Sequence, residues 1–221
     1  YEEDNSYLIA SKKGETLGTT PTASPSANNS IITIELTLDK DYNAKGTMKL
    51  DFSGMTDGIM RNIASSRSMH DMKETIIYFA GLLHPNINME NIVLGDVNDM
   101  SKNYSITAEI DIPKFATQRN NYTFVPFSGS NMNMHFMYNY ILSPFKLNER
   151  HYDFQMPGVF SLDINFKVEF PDEMKNISMP KPKEIDYKGF VAHFDSKVEG
   201  NELNTNYHFE TSQLHLKKED Y

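Results

Sequence analysis

The reactive inventory of this 221-residue chain is seven histidines and 30 Asp and Glu residues, with no cysteine at all. Lack of cysteine removes thiol nucleophiles, thiolate zinc sites and disulfides together, and leaves the redox compartment unreadable. Two histidines can be placed side by side by argument. His193 and His208 lie in residues 190–211, two alternating segments that meet at Gly200-Asn201. A two-residue turn there sets Phe190 opposite Thr211 and His193 opposite His208, with Asp195 two residues along on the same face. Opposed strand residues hold their Cβ atoms about 4.5–5.5 Å apart, near enough for two imidazoles and a carboxylate to share zinc or a similar ion. The plainer reading of His193, His208 and Asp195 is the polar outer face of a strand pair, with no metal or other cofactor.

Other chemistry is weaker. Asp163, Glu169, Glu35 and Asp51 fall on the outward faces of strand-like runs. Paired acids several ångströms apart serve hydrolases, yet the same residues keep any solvated sheet face soluble. Serine catalysis needs a strained nucleophile with a base beside it, and Phe127-Ser128-Gly129-Ser130 lacks the G-x-S-x-G framing, so it reads as a loop. The Met- and aromatic-rich run Met132-Asn133-Met134-His135-Phe136-Met137-Tyr138-Asn139-Tyr140 suits an adaptable binding surface, but its alternation is also that of a core strand.

The elements that must position these residues are mostly strands. Ile32, Ile34, Leu36 and Leu38 alternate with Thr33, Glu35, Thr37 and Asp39, and after a turn Met48, Leu50 and Phe52 alternate with Lys49 and Asp51. That pattern predicts a hairpin with one wet face. Between Gly54 and His84 the period lengthens to that of helices, predicted at 55–66 and 69–83. Met72, Ile76, Phe79 or Ala80, and Leu83 form one stripe, Ser68 caps the second helix ahead of Asp71, and Pro85 ends it. Alternation resumes from Tyr104 to Ile112, breaks at 113–121, and returns without a fault from Phe160 to Phe170. In the last hairpin Phe190, Ala192, Phe194 and Val198 share a face with Leu203, Tyr207 and Phe209.

The expected fold is therefore mainly β, α+β by count, with antiparallel sandwich-like sheets and a two-helix insert at about 55–83. Residues 1–29, with the stretch Thr19-Thr20-Pro21-Thr22-Ala23-Ser24-Pro25-Ser26, read as an extended connection from an upstream domain. Residues 30–113 read as a β subdomain carrying the insert, and 114–221 as a β-sandwich subdomain. The net charge of −9 is scattered, and the basic residues never cluster beyond pairs such as Lys217 and Lys218, which argues against nucleic acid as a partner. No apolar run approaches the length of about 18 residues that a membrane span requires. Four sequons, at Asn28, Asn103, Asn121 and Asn176, are what a chain so rich in asparagine produces by chance.

Three segments resemble a known family. Asn148-Glu149-Arg150-His151-Tyr152-Asp153-Phe154 followed by Pro157, then Phe170-Pro171-Asp172-Glu173-Met174 running to Met179-Pro180, then Leu216-Lys217-Lys218-Glu219-Asp220-Tyr221, resemble the C-terminal β module of bacterial transglutaminase-like proteins, a domain of unknown function. The similarity covers mainly residues 122–221, and the insert at 54–84 departs from it. The resemblance implies that a Cys-His-Asp triad lies in a preceding domain, that this upstream transglutaminase-like domain is the partner, and that the protein is exported to the periplasm or cell surface. Composition by itself is equally compatible with the cytosol. The functional expectation is a non-catalytic accessory module of an exported transglutaminase-like or protease-like protein. Its rivals are a free-standing glycan- or peptide-binding module and a metal- or carboxylate-dependent hydrolase.

Overall fold

Strict alternation of β-branched or aromatic residues with polar ones makes half-buried strands, and this chain uses it repeatedly. The structure, a computed structural model, describes residues 4–9, 17–81, 84–126, 151–156, 158–174, 177–179 and 181–220. Phe127–Ser130, Met132–Tyr140 and Asn148–Arg150, together with Leu83, Pro157, Asn176 and Pro180, lie outside the described residues. In chain order the elements are β1 (Ser6–Tyr7), β2 (Gly18–Thr19), β3 (Asn29–Leu38), β4 (Ala44–Phe52), α1 (Gly54–Ser65), α2 (Met69–Gly81), β5 (Asn88–Leu94), β6 (Ser105–Ile112), β7 (Thr117–Arg119), β8 (Tyr122–Phe124), β9 (Phe154–Gln155), β10 (Phe160–Glu169), β11 (Lys183–Tyr187), β12 (Phe190–Glu199), β13 (Glu202–Thr211) and β14 (His215–Leu216).

One eight-stranded sheet dominates, in the order β11-β12-β13-β10-β3-β4-β6-β5, and the pairs β1-β2, β9-β14 and β7-β8 stand apart from it. Among the described residues the fold is mainly β with two α-helices, as expected. Ile32, Ile34, Leu36 and Leu38 of β3 point into the core with Met48 of β4, Ile106 and Ile110 of β6, and Ile164, Phe166 and Val168 of β10. Their odd- or even-numbered neighbours form the opposite, polar face. α2 begins as predicted: the Ser68 hydroxyl accepts the Asp71 backbone N–H at 3.1 Å and donates to its carboxylate at 2.8 Å. Its Met72, Ile76 and Ala80 are buried, with Ile76 and Ala80 in the core that the sheet builds.

The pairings add what alternation alone does not give. Across the expected border at 113, β10 pairs with β3 from Ser161↔Asn29 to Glu169↔Thr37. The broken alternation at 113–121 marks a turn leading into the small β7-β8 pair. That β3-β10 pair is parallel, while every other neighbouring pair of the large sheet is antiparallel. Among the described residues of 1–29, β1 pairs with β2, and Asn28 is buried. Val198 is 37% exposed although the opposite Leu203 is buried in the core, because β11 accompanies β12 only as far as Phe194 and leaves this end of β12 at the sheet edge.

The N-terminal stretch is tied in by Asn28. Its side-chain N–H donates to the Val159 carbonyl at 2.8 Å, and its side-chain oxygen accepts the Met55 N–H at 2.8 Å. The Asn28 carbonyl also accepts the Ser161 N–H at 3.1 Å. One side chain thus caps α1, whose own preceding residue Ser53 makes no side-chain cap, and fastens the start of β10. Gly54 fits beneath it at φ +56°, where a Cβ would stand 2.4 Å from the Asn28 side-chain oxygen. In mid-sheet, a Cβ on Gly46 would lie 1.8 Å from the Glu35 carbonyl oxygen, so β4 approaches β3 there in a way only glycine permits.

Two substitutions test this reading. Asn28→Ala leaves a buried N–H and a buried carbonyl without partners and should cost roughly 2–5 kcal/mol of stability, measured by urea denaturation. Asn28→Asp keeps the acceptor but not the donor and should fall between Ala and wild type; equal stability of all three would show that Asn28 is not the fastening point.

Candidate functional site

The polar face of the large sheet gathers the titratable side chains. Register places Asp51, Ile31, Asp163, His208, His193 and Glu184 in one row across β4, β3, β10, β13, β12 and β11. His193 does face His208, and Phe190 faces Thr211, as the two-residue turn at Gly200-Asn201 requires. Behind them Phe209 is buried, with ring centroids 5.9 Å from Phe160 and 6.5 Å from Phe190. Phe194 and Tyr207 are only half-buried, with ring centroids 4.7 Å apart and planes tilted by 36°.

The side chains in this row are shared differently from the metal reading. His208 Nδ1 lies 2.8 Å from Asp163 Oδ1, and His208 Nε2 lies 3.4 Å from Glu210 Oε2. Asp163 Oδ2 accepts the side-chain N–H of Asn29 at 3.0 Å. His193 Nε2 turns to Asp195 Oδ2 at 3.3 Å. Both ring nitrogens of His208 are therefore directed at carboxylates, and His193 and Asp195 form a separate pair on the next strand. Among the described residues no three His, Asp or Glu side chains converge as an ion would need. Of the other acids singled out, Asp51 pairs with Lys49 at 2.9 Å, while Glu35 and Glu169 stand exposed.

The ladder continues along the face. Asn206 donates to the Asn165 side chain at 2.8 Å, Lys167 pairs with Glu202 at 2.6 Å, and Asn204 donates to Glu202 at 2.7 Å. At its centre His208, Asp163 and Glu210 keep 30%, 24% and 34% of their side-chain exposure. Burial alone depresses an imidazole pKa, but the bonds and charges of Asp163 and then Glu210 outweigh it, and His208 is raised above the ordinary histidine value. Protonated His208 donates from both nitrogens; neutral His208 has one donor and loses one of its two carboxylate contacts. Chemically the trio is a proton-dependent strut across β10 and β13.

A second polar centre, unread in the sequence, sits under the loop before β6. Arg61 is buried, and its Nε donates to Asp57 at 2.7 Å while Nη1 donates to the carbonyls of Asp96 and Val97, each at 3.0 Å. Nη2 reaches the Lys102 carbonyl, and the guanidinium stands 5.8 Å over the Tyr104 ring. Burial would raise the Asp57 pKa, but Arg61 and the Tyr104 N–H hold it below the usual carboxylate range. Each of Arg61's three guanidinium nitrogens donates to the protein itself, so this cluster anchors a loop to α1. The partners Asp163 and Asn29 of the first centre were also missed as a group. Glu210 was visible two residues from His208, whereas Asp163 and Asn29 require the pairings of β10, which no turn fixes.

Because the pKa of His208 is raised by folding, its contribution is complete below the unfolded value of about 6.5 and is lost as pH rises through the folded value. The stability difference between wild type and His208→Asn should therefore be larger at pH 5.5 than at pH 8.5, with thermal melts as the measurement. A difference that stays constant, or grows with pH, would contradict the strut.

Residues 130–221 match the family model described as Domain of Unknown Function with solved-structure structure (DUF3858), which spans β9 to β14. No curated protein and no solved structure matches the chain. The C-terminal part of the chain is thus similar to a family whose function is itself unknown.

Proposed function

We propose that this chain is a non-catalytic interaction module, the accessory β part of an exported transglutaminase-like or protease-like protein, with the upstream transglutaminase-like domain as its partner. The observation that carries the reading is the polar face: a surface several strands wide on which Asp163, His208, Glu210, Asn165, Asn206, Lys167 and Glu202 hold one another in fixed positions. Side chains already ordered by their neighbours lose little freedom when a partner docks, so such a face binds without the usual entropic cost. Its chemistry favours a polar, hydrogen-bonding partner surface and gives specificity more than bulk affinity. The resemblance of the C-terminal segments to transglutaminase-associated modules supports the same assignment, and with it a periplasmic or cell-surface location.

The reading is tested with the purified chain and the transglutaminase-like domain in trans. Titration calorimetry should give a saturable complex, and Asp195→Lys combined with Glu210→Lys should weaken it by about tenfold or more, which is 1.4 kcal/mol. No hydrolysis or transamidation of peptide, ester or amide probes is expected from the chain alone. Turnover removed by a single substitution on the polar face would replace this reading with the hydrolase. Binding of oligosaccharides in place of the domain would replace it with the free-standing glycan module.

A further inference from the structure

We infer that the outer edge of β11 is a docking strip for an extended peptide segment in which apolar residues alternate with Lys or Arg, added to the sheet as one more strand. The inference rests on the interaction-module reading and names a partner for a surface other than the polar face. β11 is the end of the sheet, with β12 as its one strand neighbour among the described residues. All five of its residues are exposed, Ile185 by 51% and Tyr187 by 58%. An edge strand leaves alternate backbone N–H and carbonyl groups unpaired, which is a template for a further strand.

β11 is nonetheless firmly placed. Lys188 and Gly189 both have positive φ, +50° and +80°, the signature of the tight hairpin turn that matches strand twist. The Gly189 carbonyl is held by the Ser212 N–H at 2.9 Å. The opposite edge of the sheet differs: β5 is interrupted by a register shift between Glu90 and Val93, with Asn91 at φ +50°, and a bulge of this kind discourages strand addition. β11 carries no such break in its pairing with β12.

The side chains specify the occupant. Lys183, Ile185 and Tyr187 pair with Phe194, Ala192 and Phe190 and so lie on the apolar side, while Glu184 and Asp186 pair with His193 and Val191 on the polar side. A strand laid beside β11 would set its residues alternately against Ile185 and Tyr187 and against two carboxylates. Apolar residues suit the first set and cations the second. A second copy of the chain fits poorly: antiparallel self-pairing centred on Glu184, Ile185 or Asp186 puts carboxylate against carboxylate, and opposed like charges are destabilising.

The probe is a dye-labelled, end-blocked Val-Lys-Val-Lys-Val peptide titrated against the full chain, followed by anisotropy and by amide hydrogen exchange. Saturable binding is expected, with alternate amides of residues 183–187 protected. Replacing Lys by Glu in the peptide, or methylating its backbone nitrogens, should each weaken binding by about tenfold or more. The variant Glu184→Lys with Asp186→Lys, all on exposed positions, should invert the preference toward the Glu peptide at unchanged melting temperature. The inference is overturned by absence of saturable binding, by binding that survives backbone methylation, by protection confined to other strands, or by a dimer that pairs through β11. Turnover or loss of the upstream complex leaves these readouts untouched, so the two readings fail separately.

Discussion

The parallel contact between β3 and β10 is the constraint on which the rest depends. It joins two sets of strands that are otherwise linked by local hairpins, β3-β4 on one side and β12-β13 on the other. Parallel neighbours cannot be connected by a tight turn, so something other than chain connectivity must set their register. Asn28 does so from the strand end, holding Val159 and Met55 at once. A polar side chain this deeply buried is stable only because its donor and acceptor are both used. The same contact places Asp163 beside Asn29 and, through β13, beside His208. The polar face is assembled by the pair that closes the core.

Much of this was legible in the residues. Period-two alternation located β3, β4, β6, β10, β12 and β13, and the turn at Gly200-Asn201 determined the register that sets His193 against His208. Helical spacing and Ser68 located α2 and its buried stripe. What remained hidden was how the hairpins meet, because alternation tells which face is apolar but not which strand lies alongside. That one omission explains the missed parallel pair and the overlooked partners of His208. Arg61 was invisible for a different reason: a lone arginine on a helix normally reads as solvated surface, and only the packed loop at 96–102 turns it into a buried anchor.

The family match adds a geometric point. Residues 130–221 contain β10 to β13, half of the strands of the large sheet, whereas β3 to β6 precede them. The recognised unit is therefore not a closed layer. Its β10 takes part of its hydrogen bonding and its apolar cover from outside the matched residues, through Ile32, Ile34 and Leu36. A stretch defined by sequence similarity and a stretch that buries its own core are different objects here, and β10 is where they part.

The Asn28–Val159 bond spans 131 residues, and this has a bearing on how the chain is made. On the ribosome β3 and β4 emerge early, with the flank of β3 that will receive β10 still open and lined by Ile32, Ile34 and Leu36. Its partner is translated roughly 120 residues later, which at about 5–20 residues per second is an interval of roughly 6–25 seconds. During that time an apolar strand edge waits for a mate it can find only by closing a long loop, the slowest kind of contact to form. The nascent chain is most exposed to mispairing with its neighbours in that window. Slow elongation lengthens it.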